Sequence, residues 1–253
     1  MTELAFFDWL LAVAFGLAVV VFVLLFFVTA PYGRHVRQGW GPGLRSRLAW
    51  VVMEAPSPIL FAVLFLMGNN PVTVTSVAFL VMWEVHYVHR AFLYPFSLRG
   101  AVRKMPVVVV GMGILFNLMN AYLNGRWLFH FSSGYGAGWL YDPRFVGGTA
   151  LFVIGYFINR QADLALRSLR REGESGYQVS NSFFHRLVSS PNYLGEITIW
   201  TGWAIATWSL PGLAFAVWTI ANLAPRARTN HQWYRETFPD YPPERKALLP
   251  GIW

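Results

Sequence analysis

The sequence predicts an all-α integral membrane protein, a single domain over 1–253 that crosses the bilayer with seven transmembrane helices. Its 253 residues are 55% hydrophobic and 13% charged, whereas soluble domains carry about 25% charged residues. The mean hydropathy is +0.41. The chain has no cysteine, which excludes disulfides, thiolate nucleophiles and cysteine-ligated metals.

Seven apolar runs predict the helices, because one span needs about 20 residues. The first run has no charge inside it. It is too long for a signal-peptide core and lacks a basic segment before it, so we expect it to be retained. The fifth continues as an increasingly polar helix toward Arg170, and a tight turn at 209–212 joins the short last two. The predicted spans are 9–30, 50–67, 72–94, 106–123, 145–166, 194–208 and 213–223, and 226–253 follows as a cytoplasmic segment.

The basic residues orient these helices. All but two of the 20 Lys and Arg residues lie at or after the ends of spans one, three, five and seven, and the exceptions are Arg126 and Arg144. Because cytoplasmic connections are rich in Lys and Arg, we predict the N-terminus outside and the C-terminus in the cytoplasm. This placement explains the net charge of +8 without a nucleic-acid partner. We expect a monomer that contacts the lipid bilayer.

Ionisable side chains inside the spans mark the candidate chemistry, because such groups usually face the bundle interior or a cavity. Span two contains Glu54, and span three contains Glu84 followed by HYVHR at 86–90. Two interpretations of Glu54 are open: a carboxyl paired with His or Arg to hold two helices together, or a proton donor or acceptor beside a buried ligand. His86 and His89 lack an evident third ligand, so we predict structural hydrogen bonding and no metal.

A second polar set lies at the cytoplasmic ends of spans five and six. Asn159 and Asp163 are four residues apart and share a helical face, and Asn192 and Glu196 have the same spacing within SPNYLGE at 190–196. Arginines interleave with these side chains. They are interpreted either as a topology signal that contacts lipid headgroups or as part of a phosphate-and-ribose site.

Common nucleotide and hydrolase motifs are missing from the chain. It has no G-x-G-x-x-G after a predicted strand, no Walker A sequence, no G-x-S-x-G and no H-E-x-x-H. Gly111 and Gly113 lie inside span four, which excludes a Rossmann domain. An all-helical scaffold must therefore hold any nucleotide.

Four segments together carry a resemblance to a known family. They are HYVHR at 86–90, SPNYLGE at 190–196, ATWSLP at 206–211 and DYPPERKALLP at 240–250. Over about 50–253, the chain resembles the steroid 5α-reductases, also called 3-oxo-5α-steroid 4-dehydrogenases, as a bacterial-type homologue. The resemblance implies a seven-helix membrane bundle. It also implies NADPH-dependent reduction of the Δ4 carbon–carbon double bond of a 3-oxo-steroid or related enone lipid.

The same resemblance implies roles for individual residues. Glu54 and Tyr87 match the pair that hydrogen-bonds the substrate ketone, with Met53 beside them in the substrate site. Polarising that oxygen stabilises the enolate that develops as hydride reaches the β-carbon. The positions that match the family's dinucleotide site are His86, Asn159, Asp163, Arg170, Tyr177, Asn192, Glu196, Arg226 and Tyr234. We expect arginines on the phosphates, and Asn, Asp and Glu on ribose hydroxyls or the carboxamide.

The chain departs from the family pattern at several positions. Met53 stands where the family has Gln, and methionine cannot donate a hydrogen bond. Leu98 and Ala101 stand in place of Asn and Arg, with Arg103 as a substitute for the Arg, and Gln178 stands in place of another Arg. The phosphate contacts are therefore expected to be redistributed.

Two other functions are open from the sequence. A membrane S-adenosylmethionine-dependent methyltransferase of the isoprenylcysteine type is suggested by YLGE at 193–196, but it leaves Glu54 and HYVHR without a role. In a non-enzymatic lipid transport protein, the intramembrane charges would line a pathway. For the reductase, we expect a multi-pass protein of the bacterial inner membrane or the endoplasmic reticulum, with the cofactor side cytoplasmic.

Overall fold

Helices form most of the regular structure in the computed structural model, which describes residues 1–29, 35, 39–97, 104–169 and 176–253. Each of the seven predicted spans coincides with helical structure. The α-helices of the described residues are α1 (Glu3–Phe27), α2 (Ser46–Glu54), α3 (Pro56–Leu66), α4 (Val74–Val88), α5 (Tyr94–Ser97), α6 (Val107–Arg126), α7 (Pro143–Ser168), α8 (Pro191–Thr207) and α9 (Leu210–Thr237).

A break between α2 and α3 sets the position of Glu54. Pro56 begins α3. Proline has no backbone N–H and its ring crowds the preceding turn, so it interrupts the helical hydrogen bonds. α2 therefore ends at Glu54, whose side chain is buried. Span two thus consists of two helices and starts at Ser46, ahead of the predicted 50.

Two helices pass into π-helical turns. α4 begins at a capping box formed by Thr73 and Ser76, and it continues through a π-helical turn, His89–Leu93, into α5. α6 runs into a second π-helical turn, Trp127–Phe131, beyond the predicted end of span four. Such turns are rare and frequently occur at functional sites, and the first one includes part of the HYVHR segment.

Glycines allow α7 and α8 to pack with their backbones in contact. Gly148 and Gly155 lie seven residues apart on α7, and Gly195 and Gly202 lie seven apart on α8. A Cβ atom at any of these positions would overlap backbone atoms of the other helix. Glycine permits this close approach because it has no side chain. The contact brings Asn159, one turn after Gly155, against the start of α8.

α9 is longer than the predicted span 213–223. It begins behind Ser209, whose hydroxyl accepts a hydrogen bond from Gly212 N at 3.1 Å, and it continues to Thr237. The first part of the predicted cytoplasmic segment 226–253 is therefore helical. Hydropathy missed this continuation because the residues after Pro225, which lies inside the helix, are mainly polar.

A short antiparallel sheet departs from the all-helical prediction. Strand β1 (Gly43–Arg45) pairs with strand β2 (Lys104–Pro106), and Leu44 lies opposite Met105. The sheet joins the chain just before α2 to the chain just before α6. It thereby helps to place α2, which carries Glu54, beside α6, which carries Asn117.

Three helical segments of the described residues are long and apolar enough to cross a membrane: Glu3–Phe27, Ser46–Leu66 and Val107–Phe131. They correspond to predicted spans one, two and four. α8, with 17 residues, is shorter, and α4 and α7 carry ionisable side chains. The helical membrane class is supported, whereas the number of crossings and the orientation of the termini remain predictions.

The core is aromatic beside the candidate site. Phe61 of α3 stacks on Trp83 of α4 with 4.3 Å between ring centroids. Trp83 also contacts Trp200 and Trp203 of α8 at 5.5 Å and 5.3 Å. Tyr87 packs against Trp83 at 4.9 Å. Because such ring pairs have preferred geometries, this cluster holds the phenol ring of Tyr87 in one position.

Candidate active site

Glu54 is buried at the end of α2 between two polar side chains. Its Oε2 accepts a hydrogen bond from Asn117 Nδ2 at 3.3 Å, and its Oε1 lies 3.8 Å from Arg90 Nε. Asn117 Nδ2 also donates to the carbonyl of Met53 at 2.8 Å. Because a carbonyl can only accept, this bond fixes the amide with its NH₂ group toward Glu54. Glu54 thus has the arginine partner that its structural interpretation expects.

Tyr87 projects from α4 into the same buried region. It is 3% exposed, and its hydroxyl accepts a hydrogen bond from Asn120 Nδ2 at 3.4 Å. Glu54 is close enough to act on Tyr87 electrostatically. Asn117 and Asn120 are three residues apart on α6, so one face of that helix holds both members of the predicted catalytic pair.

Glu196 joins side chains from three helices. Its Oε1 lies 3.1 Å from His86 Nε2 and accepts a hydrogen bond from Trp200 Nε1 at 3.0 Å. Its Oε2 accepts one from Asn159 Nδ2 at 3.0 Å, and Asn159 also donates to the carbonyl of Asn192 at 2.9 Å. The structure therefore brings four predicted cofactor residues together between α4, α7 and α8.

Arg90 lies between the two networks. Its guanidinium is 4.8 Å from the ring centroid of Trp50, and it interacts electrostatically with Glu196, Glu54 and Asp163. A cation over an aromatic face is stabilised by the ring's charge distribution. Arg90 thus connects the predicted substrate residues with the predicted cofactor residues.

The two histidines of the HYVHR segment face different partners. His86 bonds Glu196, whereas His89 Nδ1 lies 3.5 Å from Arg160 Nη1 and its ring packs on Tyr156. Within the part of the chain that the structure describes, no three His, Asp or Glu side chains are placed to hold a metal. Both histidines take part in polar contacts of the kind that the structural interpretation predicts.

Arg226 lies on the polar part of α9, near the start of α8. Its guanidinium is 5.3 Å from the ring centroid of Tyr193, the residue after Asn192. Asp163 of α7 is placed close to the Asn192 side chain. These positions extend the Glu196 network toward the predicted cytoplasmic segment 226–253. Arg170 lies outside the described residues.

Tyr177 and Tyr234 belong to an aromatic cluster at the end of α9. The ring of Tyr177 lies edge-on to Trp233 with centroids 5.1 Å apart. Tyr234 is buried and stacks on Tyr241 at 5.2 Å. The structure therefore places these two predicted cofactor residues with each other, further along α9 than Arg226.

Hydrogen bonds of Ser189 connect the C-terminal end of α9 to the chain just before α8. Its Oγ lies 2.6 Å from His231 Nδ1 and 2.6 Å from the hydroxyl of Tyr241. Burial lowers the pKa of His231, and the charges of Arg235 and Lys246 lower it further. A lowered pKa favours the neutral ring, whose unprotonated nitrogen can accept a hydrogen bond.

A cavity of about 280 Å³ lies elsewhere, between α7 and the loop before α8. Its lining includes Gln161, Ser168, Ser182, Phe184 and His185. Among the described residues, no predicted substrate or cofactor residue borders it. Its position gives no support to a substrate site at that place, and the polar networks around Glu54 and Glu196 define the candidate site instead.

Three residues of the site were not predicted as site residues: Arg90, Asn117 and Asn120. The sequence held a signal for the two amides, because Asn117, Asn120 and Asn124 follow one another at intervals of three and four in an otherwise apolar span. Polar side chains on one helical face inside a membrane usually point into the bundle.

Comparisons with known proteins identify the family of this chain. The model of the 3-oxo-5-alpha-steroid 4-dehydrogenase family matches residues 103–253. The chain is 40% identical over 251 residues to steroid 5-alpha-reductase DET2 of Gossypium hirsutum, covering 98% of this chain and 97% of that protein. It is 39% identical over 241 residues to 3-oxo-5-alpha-steroid 4-dehydrogenase 1 of Bos taurus, covering 94% and 93%. Since these relatives come from a plant and an animal, the bacterial type of the homologue stays a prediction. The chain belongs to the 3-oxo-5-alpha-steroid 4-dehydrogenase family of oxidoreductases.

Proposed function

We propose that this protein uses NADPH to reduce the Δ4 carbon–carbon double bond of a 3-oxo-steroid or a related enone lipid. The observation that carries the proposal is the buried pair Glu54 and Tyr87. They come from different helices, and each is held by an amide of α6. A few fixed polar groups in apolar surroundings suit the binding of one ketone on a hydrophobic ligand. Membership of the family supports the same class of reaction.

Polar atoms beside Tyr87 support a ligand oxygen at this place. Among the described residues, Trp83 Nε1 is buried without a hydrogen-bond partner. Trp83 packs on the Tyr87 ring, and Ser57 is placed to hydrogen-bond the Tyr87 hydroxyl. Buried polar atoms normally have partners. A ketone oxygen near Tyr87 would offer an acceptor to such donors.

In the proposed reaction, the side chains of the pair act on the ketone oxygen. Tyr87 donates a hydrogen bond to it, and Glu54 donates a second one in its protonated form. These bonds stabilise the negative charge that develops on the oxygen as the enolate forms. When bound, NADPH supplies the hydride that reduces the β-carbon. The α-carbon is protonated afterwards. Burial strengthens both hydrogen bonds because water is excluded.

The residues between α7, α8 and α9 fit the chemistry of a dinucleotide. Asn159 and Glu196 supply an amide and a carboxylate for ribose hydroxyls or the carboxamide, and Arg226 supplies a cation for phosphate. His86 and Asn192 belong to the same network. We assign Asp163, Arg170, Tyr177 and Tyr234 to the same cofactor.

For the membrane arrangement, we propose seven crossings, with the N-terminus outside and both the C-terminus and the cofactor site cytoplasmic. The helices coincide with all seven apolar runs. The polar part of α9, which carries Arg226, extends beyond its apolar part. The protein is proposed to act as a monomer in the endoplasmic reticulum or a bacterial inner membrane.

The two rival functions explain less of the site. A methyltransferase gives the paired carboxyl and phenol of Glu54 and Tyr87 no task, and the family match is to a reductase. A lipid transport protein likewise does not need Glu54, Tyr87 and Arg90 in one connected buried cluster. Neither alternative is therefore favoured.

The proposal predicts that the protein retains NADP(H) during purification in detergent. Mass spectrometry of the extracted ligand, followed by titration of the stripped protein with NADPH, checks this expectation. NADPH consumption that depends on an added 3-oxo-Δ4-steroid is the matching activity. Retention of S-adenosylmethionine, with no response to NADPH, would instead establish the methyltransferase.

A second prediction concerns Met53, whose side chain occupies the space above Gly113 of α6. A Cβ at Gly113 would overlap Cγ and Sδ of Met53, whereas a Cβ at Gly111 has nothing within 4 Å. In Gly113→Ala, the flexible methionine must shift within the substrate site. We expect KM for the steroid to rise about fivefold, which corresponds to roughly 1 kcal/mol. Gly111→Ala is the control with unchanged kinetics, and an equal KM in both variants would remove Met53 from the substrate site.

A further inference from the structure

A line of hydrogen bonds leads through the buried core to the Tyr87 hydroxyl. Trp203 Nε1 of α8 donates to Asn124 Oδ1 at 2.9 Å. Asn124 Nδ2 donates to Asn120 Oδ1 at 3.0 Å, and Asn120 Nδ2 donates to Tyr87 Oη at 3.4 Å. The exposed fractions are 0% for Trp203, 1% for Asn124, 4% for Asn120 and 3% for Tyr87, so bulk water does not replace any of these partners.

The direction of this line follows from donor chemistry. An indole N–H can only donate, so the oxygen of the Asn124 amide must face Trp203. The amide nitrogen of Asn124 then faces Asn120, where the backbone carbonyl at 3.1 Å is a further acceptor. Asn120 must turn its own oxygen toward Asn124 and its nitrogen toward Tyr87. The orientation of both amides is therefore set by Trp203.

The orientation of the two amides determines how the Tyr87 hydroxyl can form hydrogen bonds. Its oxygen accepts an N–H from Asn120, and Ser57 of α3 also interacts with this hydroxyl, so the phenol proton points away from α6. We propose that Trp203, Asn124 and Asn120 form a one-way relay that keeps Tyr87 a hydrogen-bond donor toward the substrate oxygen. This inference rests on the proposed function. Asn120 acts through Tyr87 and is a positioning residue.

The relay also increases the donor strength of Tyr87. A hydrogen bond received by the phenol oxygen stabilises negative charge on it, and chains of hydrogen bonds strengthen one another in a low-dielectric interior. As charge develops on the substrate oxygen, Tyr87 shares more of its proton. The N–H of Asn120 stabilises the negative charge that then develops on the phenol oxygen. Asn120 does this without contacting the substrate.

The test compares Asn120→Leu with the parent protein and with Tyr87→Phe. Leucine has a similar volume but no N–H, so we expect kcat to fall about tenfold while KM for NADPH is unchanged. In a Tyr87→Phe background, the same change should have no further effect, because the relay acts only through the phenol. Equal losses in both backgrounds would show a merely structural role and overturn the proposal.

A spectroscopic measurement separates the relay from the reaction itself. The carbonyl stretch of a bound ¹³C-labelled 3-oxo-Δ4-steroid moves to lower frequency when its oxygen accepts a hydrogen bond. We expect a smaller shift in Asn120→Leu than in the parent protein, and the smallest in Tyr87→Phe. If Tyr87→Phe reduces the shift while Asn120→Leu leaves it at the value of the parent protein, the relay is wrong and the proposed function stands. If the carbonyl shift in Tyr87→Phe equals that of the parent protein, the proposed function fails.

Two further variants serve as a control and as a substitute test. Thr219→Val removes another buried side-chain hydrogen bond, from Thr219 Oγ1 to the carbonyl of Phe215 at 2.9 Å, between two residues that are not members of the relay. It should leave both the carbonyl shift and kcat unchanged. If Asn120→Leu does not fold, Asn124→Leu tests the same line one step further away. A carbonyl shift in Asn124→Leu equal to that of the parent protein would overturn the relay.

Discussion

Glu54→Gln and Tyr87→Phe are each expected to lower turnover of a 3-oxo-Δ4-steroid by about 10²- to 10⁴-fold while NADPH still binds. Each substitution keeps the shape of the side chain. Tyr87→Phe removes the phenol donor, and Glu54→Gln replaces the acidic O–H donor with a weaker amide N–H donor. Loss or weakening of one donor to a developing oxyanion is costly in a buried site, because water does not replace it. Steady-state kinetics in detergent, together with NADPH titration of each variant, measure the two effects separately.

Glu84→Gln is the matched control for Glu54→Gln. Glu84 lies on α4, three residues before Tyr87, and its Oε1 has no hydrogen-bond partner among the described residues, but it belongs to neither polar network. Turnover of Glu84→Gln should equal that of the parent protein. Full activity of Glu54→Gln and Tyr87→Phe would contradict the proposed mechanism, and loss of NADPH binding in both would place the pair at the cofactor.

The second large effect is expected for Gly148→Val on α7. A Cβ at Gly148 would overlap backbone atoms of Gly202 and Ala206, and backbone cannot move aside as a flexible side chain does. Separating α7 from α8 also separates Asn159 from Glu196. We expect a loss of about 3 kcal/mol of stability or more, measured by thermal unfolding in detergent, together with reduced NADPH affinity.

Gly147→Val is a matched control, because the adjacent glycine lies on the same helix and a Cβ there has nothing within 4 Å. Both variants change helix propensity and side-chain entropy in the same way. The difference between them therefore measures the close approach of α7 to α8. Equal unfolding temperatures for Gly147→Val and Gly148→Val would show that the two helices do not pack as described.

The sequence predicted the helices better than it predicted where they end. Every apolar run is helical, but α6 passes into a π-helical turn and α9 continues to Thr237. Hydropathy reports burial in lipid, whereas the end of a helix depends on hydrogen bonds and packing that polar residues can also make. Hydropathy therefore places the polar part of α9 in the segment 226–253 and not in a span.

For the candidate site, the sequence identified the ionisable groups but not their partners. Glu54 and Glu196 stand out because a carboxylate inside an apolar span is rare. Their neighbours come from elsewhere in the chain: Asn117 reaches Glu54 across 63 positions, and Asn159 reaches Glu196 across 37. Spacing along one helix carries no information about such pairs.

By itself, the sequence determined that this is a helical membrane protein of the 3-oxo-5-alpha-steroid 4-dehydrogenase type, since composition and short motifs are local properties of the chain. Only the tertiary structure decided that Asn117 holds Glu54, that Arg90 joins the two networks, and that Trp203 sets the direction of the bonds ending at Tyr87. The physical reason is that hydrogen bonds depend on distance and on which atom donates. Both are settled only when α4, α6 and α8 pack together.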